Sequence, residues 1–528
     1  MLSLVFFVFF SLHTASAVHL IQFLIDDYGW FNAGWHSPGN PEVLTPNMDS
    51  LVADGVELDR AYAFKYCSPS RCALQSGRNP IHVNVLNDDM TIHNPKDPIG
   101  GWAGLARNFT GIASKLKTVG FKTHQVGKWD AGMGSPDHTP HGRGYDTSLI
   151  YFMHENFYWN SQSYIDCNTE PMVDLWEHNE NGTQGGARTL NQSWSCSQAA
   201  QRNCSYVDDI FLQSVLDIIA AHDPATPLFL SWTPHGVHSP LEVPDTYLNK
   251  FSFISDERRR FYAAMVNHLD DMVGKVAYAL KEKGMWDDLL WLASADNGGP
   301  IYNNGSAGAN NYPLRGGKGS NFEGGVRVNS WAAGGLLPAS QRGKKVTGMV
   351  ALWDYYATFC ALAGVDPQDE RAALASLPPI DSFNLWPLLS GENSTSPRLE
   401  IALGSSGLVA PWDGLPAVVQ GLIQLPWKYL IGDLNNNIWQ SPIYPNETTH
   451  WQDTTFSCPP QGCLFHVVND PNEYVDVSEA NPDVVAKMRA RILELQKTVY
   501  DPDRGGDDGA ACAAGTGAWR GFWGPFAQ

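Results

Sequence analysis

The chain has 528 residues, 43% of them hydrophobic and 17% charged, which is enough for two or three domains of ~150 residues around a substantial core. Its net charge is −20. That excludes nucleic acid as a partner, because phosphate binding needs a basic footprint, and it obliges any polyanionic ligand to find a local basic pocket within a repulsive field.

Leu2 to Leu12 is an apolar run, and Ala15-Ser16-Ala17 is a small-x-small cleavage site, so residues 1–17 read as a secretory signal peptide. The run is shorter than the ~20 residues that span a bilayer, and no later stretch reaches that length, so no stable transmembrane anchor is expected. Seven Asn-x-Ser/Thr sequons follow, at Asn108, Asn181, Asn191, Asn203, Asn304, Asn393 and Asn446. Together they predict a secreted or lumenal glycoprotein, with a lysosome or vacuole as candidate destinations. The nine cysteines are an odd number, which in an oxidising compartment asks for one special thiol. Cys458-Pro-Pro-Gln-Gly-Cys463 reads as a small disulfide loop, and Cys360, in an apolar helical stretch, as a buried free thiol.

In chain order, His19 to Ile25 reads as a strand ending in Asp26-Asp27, and Pro46 to Asp54 as a helix with Thr45 at its N-cap. A helix over Thr110 to Val119 precedes a strand over Phe121 to Val126 that ends in Gly127-Lys128-Trp129-Asp130. Val207 to His222 is helical and Pro227 to Thr233 a strand. Ser255 is the expected cap of an amphipathic helix to Lys283, and Asp288 to Ser294 is a strand followed by Asp296-Asn297-Gly298-Gly299. Leu352 to Ala363 is a further helix. Alternating helices and apolar strands predict an α/β fold with a mostly parallel central sheet, and the polar clusters sit just past strand C-termini, where such sheets carry their sites. Beyond Gly391 short strands and turns take over, closed by a helix over Pro482 to Val499. The expected division is a large domain over 18–395, a smaller C-terminal α+β domain over 396–500, and a loosely ordered Gly/Ala-rich tail over 501–528.

The stretch Tyr66-Cys67-Ser68-Pro69-Ser70-Arg71-Cys72-Ala73-Leu74-Gln75-Ser76-Gly77-Arg78 joins Cys-x-Pro-x-Arg to Leu-x-x-Gly-Arg. It resembles the signature of type I sulfatases. The resemblance extends over Ile25-Asp26-Asp27-Tyr28-Gly29-Trp30, Gly127-Lys128-Trp129, Pro234-His235-Gly236-Val237-His238, Ala295-Asp296-Asn297-Gly298-Gly299 and Pro313-Leu314-Arg315-Gly316-Gly317-Lys318. It is strongest from about Leu24 to Gly391, and is nearest to the arylsulfatase B, or N-acetylgalactosamine-4-sulfatase, type. The resemblance implies an alkaline-phosphatase-like large domain and a sulfated carbohydrate or aryl sulfate as substrate. It also implies oxidation of Cys67 to formylglycine by a formylglycine-generating enzyme during maturation, which leaves eight cysteines. In that family the hydrated aldehyde is the nucleophile, and a calcium ion is bound by the residues matching Asp26, Asp27, Cys67, Asp296 and Asn297. Those oxygen donors suit Ca²⁺, with Mg²⁺ the other candidate. By the same resemblance Arg71 anchors the formylglycine, Lys128 contacts it and the sulfate, His238 binds sulfate, and Lys318 binds sulfate and protonates the leaving oxygen. Ser68-Pro69 can start a helix whose free amides favour the anion. His235 reads as a loop residue.

One position departs. Where the family reads Gly-Lys-Trp-His, this chain reads Gly127-Lys128-Trp129-Asp130. The missing histidine is assigned there as the base that frees sulfate from the enzyme. Asp130 can take that role if its pKa is raised, His138 can swing in, or turnover is impaired. Two rival functions follow: a phosphodiesterase or phosphonate hydrolase of the same superfamily, and a catalytically impaired protein that binds sulfated glycans.

Overall fold

A computed structural model of the protein describes residues 17–167, 170–187, 196–201, 204–301, 307–406, 418–443 and 455–528. The signal segment, apart from Ala17, and the sequons at Asn191, Asn203, Asn304 and Asn446 lie outside these residues.

A ten-stranded sheet organises the large domain. Its order is Lys344–Val346, Val56–Leu58, Ser330–Ala333, Leu289–Ala295, His19–Ile25, Leu228–Thr233, Lys122–Lys128, Thr147–Tyr151, Trp176–His178 and Gln184–Gly186. The five strands from Leu289–Ala295 to Thr147–Tyr151 are mutually parallel, and antiparallel strands flank them on both sides. All seven residues of His19–Ile25 are buried, as befits a central strand covered on both faces. Helices Val207–Ala221, Glu257–Glu282 and Asp354–Ala363 supply that cover. The alkaline-phosphatase-like α/β architecture expected from the sequence is therefore present.

A second, four-stranded antiparallel sheet follows, in the order Ile401–Gly404, Val419–Gln424, Trp427–Leu430, Cys463–His466. Helix Pro482–Gln496 packs Met488 and Ile492 into one core with Leu422, Tyr429 and Leu464. Phe64, Ile81 and Val85, which bracket helix Cys67–Ser76, belong to the same core, so the small sheet buttresses that helix.

Two expectations give way. The long helix is capped by Asp256, whose carboxylate accepts from Arg259 N, and not by Ser255. The loose tail over 501–528 is ordered: Gly506–Asp507 pairs with Ile92–His93, and helix Gly509–Thr516 carries Cys512, disulfide-bonded to Cys167. Trp523 is fully buried, and Trp519 packs edge-on against Trp176 at 4.8 Å. Large aromatics among the small residues supply the apolar area that the tail's composition conceals. Disulfides Cys196–Cys204 and Cys458–Cys463 are also formed, and Cys67, Cys72 and Cys360 are free and buried.

Candidate active site

The strand ends converge as the parallel topology requires. Asp26 and Asp27 follow His19–Ile25, Asp296 and Asn297 follow Leu289–Ala295, and Asp130 follows Lys122–Lys128. Asp27 and Asp130 are held at φ 56° and 48°, a left-handed conformation that aspartate tolerates better than most residues and that turns each side chain off its strand. Gly127 lets its strand pass close to its neighbour, since a Cβ there would lie 2.0 Å from the Thr233 carbonyl oxygen.

Cys67 opens helix Cys67–Ser76, all ten residues of which are buried, and its Sγ lies 3.6 Å from Asp26 Oδ1. Burial pushes the Cys67 thiol up. One turn on, Arg71 donates through Nε and Nη2 to Asp296 Oδ2 at 3.0 and 2.8 Å, and through Nη1 to the Lys128 carbonyl at 3.1 Å. Its Nη2 also lies 3.5 Å from Asp26. Lys128 Nζ donates to Asp26 Oδ2 at 2.7 Å, and Lys318 Nζ to Asp27 Oδ2 at 2.8 Å. His238 Nε2 stands 3.0 Å from Lys318 Nζ and 3.5 Å from Asp27. Burial opposes charge on Asp26, but Lys128, then His238, Arg71 and Lys318, outweigh it and hold its carboxyl well below the usual range. Burial and Lys318 oppose charge on His238; Asp26 and Asp27 overcome them and keep the ring protonated well above its ordinary value.

The donors fit a hard cation. Asp26, Asp27 and Cys67, with His238, place ligand atoms within 4.8 Å of one another. Asp27 N donates to Asp296 Oδ1 at 3.3 Å, and Asn297 Nδ2 to Asp27 Oδ1 at 2.7 Å. Asn297 Oδ1 is buried without a hydrogen-bond partner, an orphaned acceptor that a cation would satisfy. Burial, followed by the charge of Asp26, pushes Asp296 up to about 7.

Lys318 and His238 are the most accessible cations of the cluster, with side chains 11% and 7% exposed against 0% for Lys128. Their loops are fixed from outside the site. Asp208, at the start of helix Val207–Ala221, accepts from His235 N and Gly236 N at 2.8 and 2.9 Å. The Lys318 loop is tied to the small sheet by Asn436, which donates to the Lys318 carbonyl, and by a buried Glu323–Lys428–Glu473 cluster with both ion pairs at 3.0 Å. His235 lies in the loop after Leu228–Thr233, as expected, and is buried there: it stacks on Tyr158 at 3.9 Å, and burial keeps it unprotonated.

At the departing position, Asp130 is fully buried, 3.5 Å from Lys128 Nζ and 3.0 Å from Nδ1 of His154, a residue the sequence reading passed over. Burial opposes its charge, yet His154, then Lys128 and Arg71, hold its carboxyl below the usual range, which is the reverse of what a lone base at 130 requires. His138 is packed away: its Nδ1 meets the Ser135 hydroxyl at 2.8 Å, its ring lies against Trp102, and burial keeps it neutral. A cavity of about 1130 Å³ lies elsewhere, beside His124, His178 and His222, and holds none of these groups.

Residues 19–365 match the family described as Sulfatase. Arylsulfatase J of Mus musculus is 31% identical over 501 residues, covering 92% of this chain and 76% of its own. N-acetylgalactosamine-6-sulfatase of Canis lupus familiaris is 26% identical over 500 residues, covering 91% and 86%. Among solved structures, the PsFucS1 sulfatase from Pseudoalteromonas sp. superposes with a TM-score of 0.69 at 21% identity, covering 92% of each chain, a likeness of fold.

Proposed function

Because the chain belongs to the type I sulfatase family, we propose that it hydrolyses sulfate esters of carbohydrates or aryl alcohols through a formylglycine at position 67, with one calcium ion held by Asp26, Asp27, Asp296, Asn297 and the modified residue 67. The observation that carries this reading is the convergence of Cys67, at a buried helix start, with an oxygen-rich donor set and four cationic side chains. The sugar substrate is supported by relatives named for N-acetylgalactosamine-6-sulfate chemistry and by a likeness in fold to a protein crystallised with glucosamine disulfate.

Formylglycine would supply a hydrated aldehyde oxygen as nucleophile, and the cation would polarise the sulfate. The chain's own groups do the rest. Arg71 and the first amides of helix Cys67–Ser76 hold negative charge at position 67. Lys128 stands behind it. His238 and Lys318 bind the sulfate oxygens, and either cation can give the departing alcohol its proton, their nitrogens lying 3.0 Å apart. The three disulfides suit an oxidising lumen, and the sequons Asn181 and Asn393 are exposed with Asn108 partly so, which supports passage through the secretory pathway.

The test is sulfate release from an aryl sulfate and from sulfated glycans, with peptide mass spectrometry at residue 67. Release together with an aldehyde at 67 is expected. Faster cleavage of an aryl phosphodiester would favour the phosphonate-hydrolase reading, and binding of sulfated glycan without release would favour an impaired binding protein.

A further inference from the structure

The site holds a second titratable pair that its main cluster does not use. Strands Lys122–Lys128 and Thr147–Tyr151 are parallel neighbours with Lys128 opposite Tyr151, and Trp129 N donates to the Tyr151 carbonyl at 2.9 Å. The chain therefore leaves both strands side by side, and Asp130 meets His154. The backbone leading to His154 is fixed as well, because Phe152 N and Met153 N both donate to Asp174 at 2.8 Å. Neither Asp130 oxygen accepts a well-formed hydrogen bond, so its compensation is ionic, from Lys128 at 3.5 Å and His154 at 3.0 Å. On its far side, His154 Nε2 lies 3.8 Å from Asp89, whose side chain is 40% exposed and accepts from the Tyr164 hydroxyl. A line Lys128–Asp130–His154–Asp89 thus runs from the buried centre to solvent.

We propose that His154 supplies the imidazole of this site and acts through Asp130 as a positioning residue, the two titrating as one unit that takes up and returns the proton moved when sulfate leaves residue 67. The inference rests on the function proposed above. In that step the carbon–oxygen bond to sulfate breaks with its electron pair going to sulfate, a carbonyl forms at residue 67, and the hydroxyl proton passes to the pair and then to water at the Asp89 side. Asp130 alone holds a proton poorly, since Lys128 and Arg71 favour its ionised form. The imidazole beside it offers a ring nitrogen to that proton, and the carboxylate 3.0 Å from Nδ1 orients the ring. The other groups within electrostatic reach of Asp130 are Cys72, Tyr151 and Asp174. Facing His154 are Asp88, Asp89 and the Tyr164 ring. Asp174 and Asp88 are themselves pushed up by burial, and among the described residues Arg504 is a further cation against this corner, facing Asp88 and Cys72.

The test reads the ring directly. In protein with ¹⁵N-labelled histidine, the His154 titration should move down by about one unit or more in Asp130→Asn, because an opposing charge at this distance shifts a pKa by that order. An unmoved titration overturns the proposal. In kinetics, His154→Gln should lose the pH limb near the imidazole value and slow sulfate release more than the release of the first alcohol. Unchanged limb and partition in a folded His154→Gln protein also overturn it. Asp130→His combined with His154→Asp, which keeps one imidazole beside one carboxylate, should recover that limb; failure of the folded double variant to do so counts against the pair. A wild-type protein that releases no sulfate while the ring coupling persists would overturn the proposed function and leave the pair standing.

Discussion

Asp174 offers the sharpest test of the electrostatics around the site. It is fully buried, accepts two backbone N–H groups from the segment that carries His154, and among the described residues has no cation against it. Burial dominates over those two hydrogen bonds and pushes its carboxyl up to about 7. In the unfolded chain the same group titrates at ~3.9. Between these values the folded protein holds a proton that the unfolded chain has released, so stability falls as pH rises through the window. The slope approaches ~1.4 kcal/mol per pH unit and flattens near pH 7, where the folded group is half ionised, so the loss between pH 5 and 7 is about 2.3 kcal/mol. For a chain of 528 residues, with an unfolding entropy of ~2.1 cal/mol/K per residue, that corresponds to roughly 2 °C in Tm. Asp174→Asn keeps the shape and one acceptor but cannot ionise. Thermal unfolding of both proteins at pH 5, 6 and 7 should show the wild type losing stability relative to the variant by that amount as pH rises. A difference constant within about 1 °C, or one of opposite sign, would refute the assignment of a raised carboxyl.

Three further outcomes are expected. Cys67→Ala should abolish turnover while leaving Tm within about 2 °C, since its one polar contact is a long thiol bond to Asp26, and activity surviving in this variant would remove residue 67 from the chemistry. Chelation should remove activity and lower Tm, and Ca²⁺ or Mg²⁺ should restore both; restoration by thiophilic ions alone would exclude an oxygen cage. Arg71→Ala should cost ~3–5 kcal/mol in stability, because Asp296 and Asp26 would lose a buried counter-charge, and Arg71→Lys should rescue little, lacking the fork that reaches both Asp296 and the Lys128 carbonyl. Urea unfolding with parallel sulfate-release assays reads both effects.

The central strands were legible because the hydrophobic runs are continuous and each ends in a polar cluster: His19–Ile25 is predicted and observed with the same bounds. The motif stretches place Cys67, Arg71, Lys128, Lys318 and the acidic ligands together. His154 was not legible from any motif, since its meeting with Asp130 depends on the register of two strands and not on local sequence. The signal that could have found it is topological: both residues lie just past the ends of strands that the α/β pattern makes neighbours. The cap at Asp256 illustrates a different limit, because adjacent Ser255 and Asp256 are both good caps and only the backbone conformation decides between them.

The segment 504–526 has a consequence for how the protein is made. It pairs with Ile92–His93, bonds Val173 and Gly134, and is joined to Cys167 across 345 residues. The large domain is therefore contiguous in space but interrupted in sequence, with the small antiparallel sheet synthesised before the final piece arrives. Until that piece emerges from the ribosome, Val173 and Trp176 lack their partners, and Cys167 waits unpaired. Premature termination near residue 500 would not merely shorten the chain: it would leave an open seam on the catalytic domain itself, a surface for chaperones to hold and for stray thiols to find.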